Sequence, residues 1–94
     1  MHAEVFSKPN CPYCVRAKAL LDQRGVAYTE NHVFVESAEQ TEANRQALIE
    51  RVTADTGTTP RTMPQIYLDG AYIGGHDDLV KHFAALDAAA RAAE

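Results

Sequence analysis

The chain reads as an α/β domain, a four-stranded mixed β-sheet flanked by three helices in the order β-α-β-α-β-β-α. Three observations carry that expectation. A strand-like run, Glu4-Val5-Phe6-Ser7, passes through Lys8-Pro9-Asn10 into a helical stretch and then a second β-like segment. A helix between two neighbouring strands is a crossover, so those strands should be parallel. Asp69-Gly70 separates Gln65-Ile66-Tyr67-Leu68 from Ala71-Tyr72-Ile73, a strong signal for a two-residue hairpin. Leu79, Phe83, Leu86 and Ala90 then share one helical face, which should be buried.

The elements follow in order. The first helix is expected over Pro12 to Arg24. Cys11 is its cap residue, and Pro12 takes the first helical position, where a missing N–H costs nothing. Cys14, Ala17, Leu20 and Leu21 lie on one face. Gly25 supplies the left-handed residue that ends the helix. The second strand lies within Val26 to Val35, centred on Tyr28 and again on His32-Val33-Phe34-Val35. Ser37-x-x-Gln40 has the form of a capping box, and Leu48, Ile49 and Val52 give the second helix its apolar stripe. Thr53 to Arg61, rich in Thr with Gly and Pro, reads as a loop. Gly74-Gly75 breaks the fourth strand. The last helix starts near Asp77, where acidic residues suit the helix dipole, and its Ala-rich end past Asp87 is expected to fray.

Ninety-four residues fit one domain spanning 1–94. A net charge of −4 argues against a nucleic-acid partner, which calls for a basic surface. No apolar run reaches the length of a membrane span, and Met1-His2-Ala3-Glu4-Val5 lacks the pattern of a secretory signal. A cytoplasmic monomer is the expectation. Two cysteines are too few for a disulfide scaffold, and His2, His32, His76 and His82 show no metal-ligand spacing, so no metal site is expected.

Cys11-Pro12-Tyr13-Cys14 holds both cysteines. In a reducing compartment such a pair is more often catalytic than structural. Cys11 stands where a helix begins, beside unpaired N–H groups, with Lys8 nearby; both features should hold its thiol below the free value of about 8.5. Cys14 sits one turn inside. The asymmetry assigns attack to Cys11 and resolution to Cys14. Two further segments each carry two readings. Thr62-Met63-Pro64 either simply opens a strand or contains a cis bond that frees the Met63 backbone for an extended ligand. Gly74-Gly75-His76-Asp77-Asp78 is either a tight turn with an acidic first turn or a seat for an amino-acid head group, N–H donors meeting its carboxylate and Asp77 its ammonium.

Together these residues resemble the glutaredoxin family. Lys8-x-x-Cys11-Pro12-Tyr13-Cys14, Arg16-Ala17-Lys18-Ala19-Leu20-Leu21, Thr62-x-Pro64-Gln65-Ile66-Tyr67 and Gly74-Gly75-x-Asp77-Asp78-Leu79 fall in the family's order. The resemblance implies a thioredoxin fold, a cis Pro64 and glutathione-dependent reduction of protein disulfides and glutathionylated substrates, with glutathione as co-substrate. It implies a groove in which Lys8 and Tyr13 flank the glycine end and sulfur of glutathione and Arg45 meets the glycine carboxylate. Thr62, Met63 and Pro64 would border the cysteinyl part, and Gly75, His76 and Asp77 the γ-glutamyl end. The chain departs from the pattern in a 53–61 segment that looks longer than usual and in Met63, where valine is common. Its second cysteine marks the dithiol class. Two rival readings remain: a hydrogen donor recharged by a flavoprotein reductase, and a carrier of a [2Fe–2S] cluster ligated by Cys11 and glutathione from two chains.

Overall fold

The computed structural model describes residues 1–93. The elements are β1 (His2–Ser7), α1 (Pro12–Gln23), β2 (Ala27–His32), α2 (Ala38–Thr56), β3 (Gln65–Leu68), β4 (Ala71–Gly74) and α3 (His76–Ala92). The sheet order is β2-β1-β3-β4. β1 runs parallel to β2 and antiparallel to β3, with Val5 opposite both Glu30 and Ile66. β3 pairs antiparallel with β4. This is the thioredoxin topology.

Alternation along the strands sorts the core into two layers. Ala3, Val5, Ile66 and Leu68 face Ala17 and Leu21 of α1 and Leu79 and Phe83 of α3. On the opposite face Tyr67 packs with Leu48 and Val52 of α2, and Phe6, Met63 and Tyr72 pack against that cluster. Arg51 ties α2 to this face. Its guanidinium donates to Glu4 Oε1 and Oε2 at 2.9 and 2.8 Å and lies 3.7 Å from the centre of the Tyr67 ring.

The turns follow the sequence chemistry. Asp69 and Gly70 both have positive φ, 49° and 82°, as a two-residue hairpin turn of this hand demands. At the end of α1, Gly25 (φ 67°) lets its own N–H reach Asp22 O and the Val26 N–H reach Leu21 O, which satisfies two terminal carbonyls.

Five expectations are corrected. β1 begins at His2 rather than Glu4, because its pairing with β2 starts there. β2 ends at His32, so Val33, Phe34 and Val35 do not extend it. The Val33 N–H still bonds Ser7 O, but the Thr41 hydroxyl holds both the N–H and the carbonyl of Val35 and turns the chain into α2. The capping box forms by half: Ser37 Oγ accepts from the Gln40 N–H, while the Gln40 side chain bonds Asn44 instead. Thr53 to Thr56 are helical, not loop; tertiary contact overrides the weak helix propensity of threonine. Tyr67 Oη donates to Asp55, the Thr56 hydroxyl donates to Val52 O, and Gly57 (φ 75°) closes the helix. Finally, α3 stays helical to Ala92, yet its buried face stops at Phe83. Leu86 and Ala90 are exposed because the helix has by then passed the sheet. Alanine's high propensity and the two-pronged Arg24–Asp87 pair hold this last stretch.

Candidate active site

β1 delivers the chain through Lys8-Pro9-Asn10 to the start of α1. Asn10 takes a left-handed conformation (φ 54°), which asparagine tolerates better than most residues, and this turns the chain into the helix. Cys11 is the N-cap of α1, with extended backbone, and Pro12 follows in the first turn. Cys11 Sγ accepts the Cys14 N–H at 3.1 Å. The first N–H groups of a helix have no partner within it, so this sulfur receives a donor that would otherwise go unpaired. Negative charge on Cys11 Sγ would be stabilised at the same place.

The two cysteines are joined as a disulfide with their Cα atoms 5.2 Å apart. Cys14 is 2 % exposed and Cys11 7 %, so the asymmetry between them is one of position at the helix end more than of surface. Cys11 Sγ lies 3.8 Å from Met63 O, and the Met63–Pro64 peptide is cis. The resemblance implied that isomer; the residues alone left it open.

Two clefts share Thr62 and Met63, the latter the residue whose carbonyl Cys11 Sγ approaches. One, of about 350 Å³, brings Tyr13 together with Thr62, Met63, Pro64 and the start of α3 at Gly75, His76 and Asp77. The other, of about 190 Å³, gathers Lys8, Arg45, Thr62 and Met63. The nine groove residues named from the sequence therefore divide between two neighbouring hollows.

Local contacts set their character. Tyr13 is half exposed; its ring lies 5.7 Å from the His76 ring and carries the Arg16 guanidinium at 5.2 Å. His76 Nδ1 lies 3.0 Å from Asp77 Oδ1. The Gly75 N–H is taken by Asp78 Oδ2 at 3.0 Å, which leaves the N–H groups of His76 and Asp77 in the open first turn of α3. Arg45 donates to Glu42 on its own helix at 2.8 Å and stays partly exposed.

Sequence reasoning missed two contributors. Arg61 joins Lys8 and Arg45 in the smaller cleft, making a third cation there; its place next to Thr62 was the available signal. Gln65 is buried and fixes the wall between the clefts. Its Nε2 donates to Thr62 O at 2.7 Å, and its Oε1 accepts from Tyr72 Oη. A lone amide opening an apolar strand was the hint. Burial first, then the negative charge of Asp78, pushes the Tyr72 phenol above its usual pKa and keeps it a donor.

A redox-active cysteine pair at a helix N-terminus, facing a cis-proline segment on a thioredoxin fold, defines a thiol–disulfide oxidoreductase. A family model described as Glutaredoxin matches residues 3–73, and the chain belongs to the glutaredoxin family. It is 41 % identical to Glutaredoxin 3 of Escherichia coli over 78 residues, 83 % of this chain and 81 % of that one. It is 39 % identical over 80 residues to the hybrid peroxiredoxin hyPrx5 of Haemophilus influenzae, a match covering 85 % of this chain and 28 % of that protein's length. Among solved structures, a buckwheat glutaredoxin–glutathione complex superposes with a TM-score of 0.69 at 32 % identity, covering 88 % of this chain and 68 % of that one. Glutaredoxin 1 from Francisella tularensis, complexed with cacodylate, shares the fold with a TM-score of 0.70 at 22 % identity, covering 90 % and 94 %.

Proposed function

We propose that the chain is a glutathione-dependent dithiol oxidoreductase of the cytoplasm that reduces glutathionylated substrates and protein disulfides. What supports the reading is the position of Cys11 at the head of α1, 3.8 Å from the carbonyl of Met63, a residue that lines two clefts. One cleft is lined by the cations Lys8, Arg45 and Arg61, which suit a carboxylate. The other offers open N–H groups and the Asp77 carboxylate, which suit an α-amino acid. Glutathione carries a carboxylate at one end and an amino-acid head at the other. The glutathione bound in the buckwheat relative supports the same co-substrate.

The Cys11 thiolate attacks the glutathione sulfur of a mixed disulfide. The target leaves as a thiol, and Cys11 keeps the glutathione. A second glutathione attacks that bond, releases glutathione disulfide and restores the Cys11 thiolate. With a protein disulfide, Cys11 joins the target, and Cys14 attacks Cys11 Sγ. The target sulfur leaves with the bonding electron pair, and the closed Cys11–Cys14 disulfide is reopened by two glutathiones. The likeness to one part of a hybrid peroxiredoxin supports peroxiredoxins as one class of protein target.

The test is a glutathione-coupled assay on a glutathionylated peptide and on a protein disulfide. Cys11→Ser should abolish both activities. Cys14→Ser should keep the first and lose the second. Normal turnover by Cys11→Ser, or turnover only with a flavoprotein reductase, would reject the proposal.

A further inference from the structure

Beside the disulfide lies a third hollow of about 510 Å³, which Tyr13 and His76 do not line. Both Cys11 and Cys14 line it, together with Lys8, Lys18, Glu30 and His32. Lys18 is one helical turn beyond Cys14, so the two side chains rise from the same face of α1. The ammonium is held in place. Lys18 Nζ donates to Glu30 Oε2 at 2.9 Å, and that same oxygen accepts from Ser7 Oγ at 2.8 Å. Ser7 is buried, and the Lys18 and Glu30 side chains are only about a quarter exposed, at 25 % and 23 %. His32 Nε2 lies 3.7 Å from the other Glu30 oxygen.

The chemistry at Cys14 gives this cluster a task. A thiol buried in apolar surroundings resists ionisation, yet only the thiolate can attack Cys11 Sγ. A cation fixed one turn away favours the thiolate, while a carboxylate fixed beside that cation partly offsets it. From the remaining side, His76, Asp77 and Asp78 of α3 line the separate cleft beyond Tyr13.

We propose that Lys18 is a positioning residue for the resolving step: held by Glu30, which Ser7 steadies, in the hollow beside the disulfide, its ammonium promotes ionisation of Cys14, and Glu30 sets how strongly. The inference rests on the reading of Cys14 as the resolving cysteine. In the step itself the Cys14 proton leaves to solvent through the hollow. The Cys14 thiolate forms the bond to Cys11, the Cys11–target bond breaks, and the target sulfur takes the electron pair and then a proton.

An electrostatic role gives opposite signs for the two partners, whereas a purely structural tie gives the same sign, since either change breaks the same bridge. The thiolate ultraviolet absorbance of Cys14 is titrated in a Cys11→Ser background. Lys18→Met should move the midpoint to higher pH and Glu30→Gln to lower pH, with Lys18→Arg close to the parent and His32→Gln leaving both signs intact. In the dithiol protein, the ratio of protein-disulfide reduction to peptide deglutathionylation at pH 7 should fall roughly three- to tenfold in Lys18→Met and rise in Glu30→Gln. Midpoints that stay put, or move the same way in both variants, would overturn the inference. Retained protein-disulfide reduction by Cys14→Ser would instead overturn the resolving role itself, so the two failures are distinguishable.

Discussion

Replacing Arg51 by alanine removes three contacts at once, and their sizes can be worked from the geometry. The guanidinium holds both Glu4 oxygens, but the two side chains are about a third exposed, at 36 % and 32 %, so the screened pair contributes only about 0.5–1 kcal/mol. The cation sits 3.7 Å from the Tyr67 ring centre, on a face turned toward α2, and adds about 1 kcal/mol. The aliphatic stem covers part of the same ring and contributes roughly 0.5–1 kcal/mol more. Together the loss is about 2–3 kcal/mol, or a fall in Tm of roughly 10–15 °C for a chain of this size. Lysine keeps the charge without the fork and should recover less than half. The pH dependence has a definite sign. The Arg51 hydrogen bond outweighs burial and holds the Glu4 carboxyl below its ordinary value of 4.5. Its contribution is therefore complete above pH 4.5 and is lost as pH falls through the depressed folded value. Urea titrations at pH 7 and at steps down to pH 3 check both points. An Arg51→Ala protein within about 0.3 kcal/mol of the parent at pH 7, or with an unchanged acid limb, would refute the reasoning.

Two further outcomes are expected. Burial first, then the Asp55 hydrogen bond, raises the Tyr67 phenol above its ordinary pKa of 10.0, so its contribution is full below pH 10 and lost as pH rises beyond it. Tyr67→Phe should cost about 0.5–1.5 kcal/mol at pH 7 and flatten that alkaline loss, read by thermal melts between pH 7 and 11.5; an equally steep limb would count against it. Asp77→Asn should raise KM for a glutathionylated peptide about three- to tenfold with kcat held, since the carboxylate is largely exposed and its ion pair with an ammonium is screened. An unchanged KM in steady-state kinetics would remove Asp77 from the glutathione site.

Much of the fold was legible because local chemistry and tertiary structure agreed. Pro12 after a capping cysteine, Gly25, and Asp69-Gly70 each mark a boundary that the backbone honours. The misreadings fall where distant contacts overrule local preference. Ala54 is the one strong helix former within Thr53–Thr56; the hydroxyl of Tyr67, twelve residues from Asp55, adds the tertiary contact that the local sequence does not show. Val33-Phe34-Val35 has strand composition, but the bonds from Thr41 to Val35 bend it away. Leu86 keeps the helical period of a core residue after the sheet beneath it has ended. At the site, the cysteine pair was readable from spacing and the groove residues from resemblance. The Gln65 support depends on which side chains β3 turns toward Thr62 and Tyr72, and a linear pattern does not carry that.

The stretch that walls both clefts is pinned at each end. Behind it, Gly57 closes α2 and Thr56 Oγ1 accepts the N–H of Thr58 while donating to Val52 O. Ahead of it, Pro64 enters the sheet and Gln65 grips Thr62. Arg61, Thr62 and Met63 thus form a short span hung between two fixed posts. Evolution or an engineer can exchange those side chains to change what docks beside Cys11 while the posts, and the sheet behind them, keep their shape.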